Sequence, residues 1–123
     1  MWTYSQSRGR ITRDNDPASY PLCYSGKGDG KNNPQFQGVV DVGPIPQGRY
    51  TIGEPILKTP LHGPYVLPLT PATSNIMFGR AGFLMHSDSI VHPGEASEGC
   101  IVCPYSLRIE IWQSGDHDLT VVA

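Results

Sequence analysis

The sequence predicts a mostly β domain, a sandwich or barrel of short strands with only short helices. Three observations carry that expectation. The chain holds 14 Gly and 12 Pro among 123 residues, and both residues interrupt long helices, proline by lacking an amide donor and glycine by the entropy lost on ordering. Short segments of alternating apolar and polar residues recur between turn-forming clusters, as in half-buried strands. A hydrophobic content of 38% with 16% charged residues belongs to a folded chain with a core, and the length suits a single domain, residues 1–123.

The candidate strands follow in order. Trp2 to Tyr4 alternates large apolar with polar side chains, and Ile11 to Arg13 is the next short candidate. Leu22 to Ser25 follows a proline, and Gly26 to Pro34 is a glycine-rich loop. Its glycines miss the Gly-x4-Gly-Lys-Ser/Thr spacing of a phosphate loop, so a flexible segment beside a groove is expected. Pro46 and Gly48 set a turn into the strand Gly48 to Ile52. The turn His62-Gly63-Pro64 precedes Tyr65 to Leu69, and Gly82 to His86, Ile101 to Cys103, Ile109 to Gln113 and Leu119 to Val122 complete the set. A short helix is expected around Ser106 to Ile109, after Pro104, or within Thr73 to Gly79.

The net charge is -2 and no basic run occurs, so the counterion release that drives nucleic-acid binding has no footprint. No stretch approaches the roughly 20 apolar residues of a bilayer span, and the N-terminus lacks a basic-then-apolar signal pattern. Neither nucleic acid nor membrane is an expected partner.

Chemistry concentrates near the C-terminus, in Met85-His86-Ser87-Asp88 and Ser97-Glu98-Gly99-Cys100-Ile101. A cysteine attacks a carbonyl as thiolate, which requires a base such as an imidazole nearby. Leu84-Met85 reads as a strand end delivering His86, and Ile101-Val102 as a strand beginning just after Cys100. If those strands pair, thiol and imidazole meet. Gly99 removes side-chain bulk beside the nucleophile, and backbone N–H groups around Gly99 and Cys100 are the expected oxyanion donors. The second ring nitrogen of His86 needs an acceptor that fixes its tautomer. Candidate substrate contacts are His62, Asp88, Ser97 and Glu98, with Ser97 also supporting the turn. His92 and His117 read as surface or structural residues.

Cys100-Ile101-Val102-Cys103 is formally a Cys-x-x-Cys. Its β-branched interior favours a strand, on which positions 100 and 103 face apart, rather than the helix start of a redox motif. Cys23 and Cys103 are expected as packed thiols, or as partners in an oxidising compartment. Two further classes compete: a zinc site from His86, Asp88, His92 and Cys100, which matches no strong ligand spacing, and a non-catalytic binding module that keeps the fold without turnover. No cofactor or metal is expected.

The run Pro44-Ile45-Pro46-Gln47-Gly48-Arg49-Tyr50-Thr51-Ile52, together with Ser97-Glu98-Gly99-Cys100, resembles the L,D-transpeptidase catalytic domain. That domain ends in a histidine, a spacer and Ser/Thr-His-Gly-Cys. Here Glu98 stands at the second histidine, the spacer is shorter, and Val102 replaces the usual Arg or Asn. With Met1-Trp2-Thr3-Tyr4-Ser5 and His62 to Pro71, the chain resembles the narrower type VI secretion L,D-transpeptidase effector family. The resemblance implies an L,D-transpeptidase-like β-sandwich or barrel injected from the producer cytoplasm by the type VI secretion machinery into a target-cell periplasm. It implies attack by Cys100 on peptidoglycan tetrapeptide stems, with His86 as base and Ser87, through its backbone carbonyl or its hydroxyl, as the acceptor that orients the ring, giving L,D-carboxypeptidase activity or exchange with free D-amino acids. A cognate immunity protein is the implied partner.

Overall fold

The computed structural model describes residues 1–123. Nine strands form one curled sheet: β1 (Trp2–Ser5), β2 (Arg10–Arg13), β3 (Tyr24–Ser25), β4 (Gly48–Ile52), β5 (Ile56–Thr59), β6 (Gly63–Pro71), β7 (Leu84–His86), β8 (Ile101–Val102) and β9 (Asp118–Val122). The spatial order is β2-β1-β9-β4-β6-β7-β8-β3, with β5 on β6. The result is a nearly closed, barrel-like sheet with one α-helix, α1 (Tyr105–Gln113). The mostly β expectation holds.

Alternation fills one contiguous core. Trp2, Tyr4, Ile11, Tyr50, Ile52, Leu67, Leu69, Met85, Leu119 and Val121 all turn inward, at the period of two that a strand imposes. Helix α1 closes one side with Leu107 and Ile111, one turn apart and both buried. The sequence expectation of a strand over Ile109 to Gln113 is therefore corrected: the alternation Ile109-Glu110-Ile111 imitates a strand, but Leu107 and Ile111 share one helical face. Residues 73–79, the other helix candidate, form turns.

Three strands shrink, Ile101 to Cys103 among them as Ile101–Val102, and one is new. The expected Leu22 to Ser25 is reduced to Tyr24–Ser25, and Gly82 to His86 to Leu84–His86, while β5 was not anticipated because its Ile56 and Leu57 are exposed rather than alternating. The glycine-rich segment carries two 3-10 turns, Gly28–Gly30 and Pro34–Phe36. It packs on the site side: Lys31 donates to the Gly94 carbonyl at 2.9 Å and lies 4.3 Å from the Tyr24 ring centroid.

Cys23 and Cys103 form a disulfide, which decides for the paired alternative over packed free thiols. The antiparallel register Tyr24↔Val102 and Ser25↔Ile101 places residues 23 and 103 opposite one another. Their Cα atoms are 4.6 Å apart, the spacing of a directly facing cross-strand pair. Cys100 remains the free cysteine.

What positions the chemistry is the parallel pairing of β7 with β8, Met85↔Ile101 and His86↔Val102. Parallel neighbours need a crossover, ordinarily a helix. Here residues 87–100 make it as an irregular loop, and residues of that loop line a groove together with His86. No helix is long and apolar enough to cross a membrane.

Candidate active site

The register of β7 and β8 sets Cys100 beside Leu84, two residues before His86 on the neighbouring strand. The Leu84 N–H donates to Cys100 Sγ at 3.3 Å, fixing the sulfur at the strand end. Both Cys100 and His86 line one groove of about 1060 Å³, together with His62, Phe83, Glu98 and Gly99. Val40, Leu61 and Ile90 stand exposed around it. A smaller cavity of about 580 Å³, over Arg8, Arg10 and Tyr20 at the far edge of the sheet, contains neither cysteine nor histidine.

His86 is buried, and its Nδ1 lies 2.7 Å from the Ser87 carbonyl oxygen. A carbonyl only accepts, so Nδ1 carries the proton and Nε2 keeps its lone pair for use as a base. Ser87 thus orients the imidazole through its backbone, while its hydroxyl is engaged by Arg108 Nη2 at 2.7 Å. The His62 ring lies 4.5 Å from that of His86, tilted by 33°, and lines the same groove.

Burial is the main influence on both reactive groups. It pushes the Cys100 thiol above its ordinary range, against the opposing Leu84 N–H and Arg80 guanidinium. It pulls His86 below the ordinary histidine value; the Ser87 carbonyl opposes this, and His62 and Arg108 add to it. Both shifts favour neutral groups near neutral pH. The resting pair is a thiol and an imidazole, not a standing ion pair.

The turn before Cys100 is held from within. Ser97 is fully buried; its hydroxyl donates to the Cys100 carbonyl at 2.6 Å and accepts from Gly26 N–H and Gly99 N–H. Ser97 is therefore a scaffold of the turn before Cys100, and the expected substrate contact is corrected, since its oxygen has no room or capacity left. The same bonds spend the Gly99 N–H, which was an expected oxyanion donor. The Cys100 N–H has no protein acceptor and stays available.

Asp88 lies past the end of β7 and makes no hydrogen bond to His86. Its carboxylate accepts from the Tyr24 hydroxyl at 2.6 Å and from the Ser89 and Gly94 amides, closing the crossover loop. Glu98 is exposed at the groove, with an oxygen 3.6 Å from Lys27 Nζ. His92 is exposed and faces Glu95 at 3.7 Å. No three His, Cys, Asp or Glu side chains converge as a metal set, so His86, Asp88, His92 and Cys100 do not assemble the zinc site weighed from sequence.

Sequence reasoning missed two arginines. Arg80 is only 7% exposed and has no carboxylate partner. It donates to the carbonyls of Gln37, Pro44, Gly43 and Glu98 at 2.6–3.1 Å. Its guanidinium lies against Gly99, where an added Cβ would stand 2.5 Å from Nη2. Arg108 is fully buried on α1. Neither has a sequence signal, since arginine is ordinarily a surface residue.

In this curled β domain a thiol just before the start of β8 and an oriented imidazole at the end of β7 line one groove, and these are the two groups that cysteine acyl transfer uses. A family model described as the Tlde1 domain matches residues 21–118, and the chain belongs to that family, one of type VI secretion effector enzymes. No curated protein and no solved structure matches the chain.

Proposed function

We propose that this domain is an antibacterial effector that cleaves or exchanges the terminal D-alanine of peptidoglycan tetrapeptide stems through a Cys100 thioester. The observation that carries the reading is the pairing of β7 with β8, which puts the Cys100 thiol and a His86 with free Nε2 in one open groove. Family membership supports a type VI effector acting on peptidoglycan.

Because both groups rest neutral, the thiol proton passes to His86 Nε2 as sulfur attacks the carbonyl of the diaminopimelate residue. The developing oxyanion meets the Cys100 N–H, in a region where the Arg80 charge is fixed nearby; one such donor is typically worth about 3 kcal/mol. His86 then gives the proton to the departing D-alanine amine as the C–N bond breaks, leaving the thioester. Water restores the thiol and releases a tripeptide stem, whereas the amine of a free D-amino acid gives an exchanged stem. His86 takes the incoming nucleophile's proton and returns it to sulfur. The site of action is the target periplasm, and a cognate immunity protein protects the producer's kin by covering the groove, where Val40, Leu61 and Ile90 offer apolar contact.

The test is mass spectrometry of purified tetrapeptide muropeptides incubated with the protein, with and without a D-amino acid. Loss of D-alanine and a D-amino-acid mass shift are expected, both abolished in Cys100→Ala. Unchanged stems in every sample overturn the reading.

A further inference from the structure

We infer that Arg108, on helix α1, is a positioning residue for His86 and acts through the Ser87 hydroxyl. The inference rests on the Cys100 and His86 reading above and adds a residue that touches neither the groove nor the thiol.

Arg108 is 0% exposed and faces no carboxylate. A buried cation without a counter-ion persists only when its donors are filled. The acceptors are the carbonyls of Tyr65 at 3.0 Å, Pro64 at 2.9 Å and Cys103, and the Ser87 hydroxyl at 2.7 Å. One guanidinium thus joins the start of β6, the end of β8 and the first residue of the crossover loop. Ser87 Oγ is its single side-chain acceptor, and Ser87 is the residue whose carbonyl fixes His86 Nδ1.

The surrounding backbone accommodates this arrangement. Tyr65 adopts φ 56° within β6, a left-handed conformation that disfavours a non-glycine residue by about 1–2 kcal/mol, and its carbonyl is one of the Arg108 acceptors. Gly63 has φ +77°, and a Cβ there would stand 3.3 Å from Ser87 Oγ. Both features leave the hydroxyl its place beside the guanidinium.

The groups around His86 are His62 from the turn before β6, Asp88 from the crossover loop, Cys100 across the groove and Arg108 from α1. None except the Ser87 carbonyl takes the Nδ1 proton. With the hydroxyl unanchored, residue 87 rotates, the carbonyl leaves Nδ1, and the imidazole populates both tautomers. Only one of them presents Nε2 as a base.

Nitrogen-15 NMR of the His86 ring tests this on the full chain without needing turnover. Wild type shows the Nδ1–H tautomer, Ser87→Ala mixes the two, and Ser87→Thr restores one. Arg108→Lys also mixes them, and the double variant Ser87→Ala/Arg108→Lys goes no further than Ser87→Ala, since the two act in series. In the stem assay, Ser87→Ala lowers kcat by roughly 10- to 100-fold with KM little changed, the scale of losing an outer partner of a functional histidine. A pure Nδ1–H tautomer in Ser87→Ala overturns the inference, even if Arg108→Lys does not fold. Tautomer mixing in a protein whose wild type leaves stems intact supports it while rejecting the proposed reaction.

Discussion

His86 shows how burial sets both the chemistry and the pH response of one side chain. Its folded pKa lies below the ordinary value, chiefly because the imidazole is desolvated, so the unfolded chain takes up the proton first. The associated stability is complete above the unfolded value of about 6.5 and is lost as pH falls through it toward the lower folded pKa. Urea midpoints at about pH 7.5 and 5.5 measure this. The wild type is expected to lose more stability over the interval than His86→Asn, and equal losses would contradict the assignment. Cys100 could be named from sequence because thiol, glycine and upstream histidine share a compact pattern. Arg80 and Arg108 could not, because nothing in their neighbours announces that a guanidinium will be buried among carbonyls.

At the scale of elements, the nucleophile turn depends on Gly99. Its φ is +139°, and an added Cβ would stand 2.9 Å from Phe83 Cε1 and 2.5 Å from Arg80 Nη2. Gly99→Ala is therefore expected to destabilise by about 1–3 kcal/mol through strain and displaced packing, read as a lower denaturation midpoint. It should abolish stem turnover as well. A variant with wild-type midpoint and activity would show that the turn tolerates the methyl group. Much of the sheet was legible because period-two alternation survives in β1, β4 and β9. Helix α1 was only half legible: Pro104 marks its start, but Ile109-Glu110-Ile111 mimics a strand, and only packing of Leu107 with Ile111 decides for the helix.

For the whole molecule, the Cys23 to Cys103 disulfide ties β3 to β8 across a sequence separation of 80 residues. A cross-link closing so long a loop typically contributes about 2–4 kcal/mol by restricting the unfolded chain. Cys23→Ser with Cys103→Ser is expected to lower the unfolding free energy on that scale in urea titrations under oxidising conditions. Under reducing conditions the difference from wild type should vanish. An undiminished gap in reductant would show that the substitutions act by packing.

By itself the sequence determined the β class, the Cys100 and His86 candidates and the family they belong to, because strand alternation, turn residues and a nucleophile motif are local and periodic. Tertiary structure alone decided which atoms those residues use. Ser87 offers its carbonyl to His86 rather than its hydroxyl, Ser97 is consumed by the turn, Asp88 closes a loop, and Cys103 meets Cys23. Each of these follows from strand register and from the placement of Arg80 and Arg108, and register and burial arise from long-range pairing that no short segment encodes.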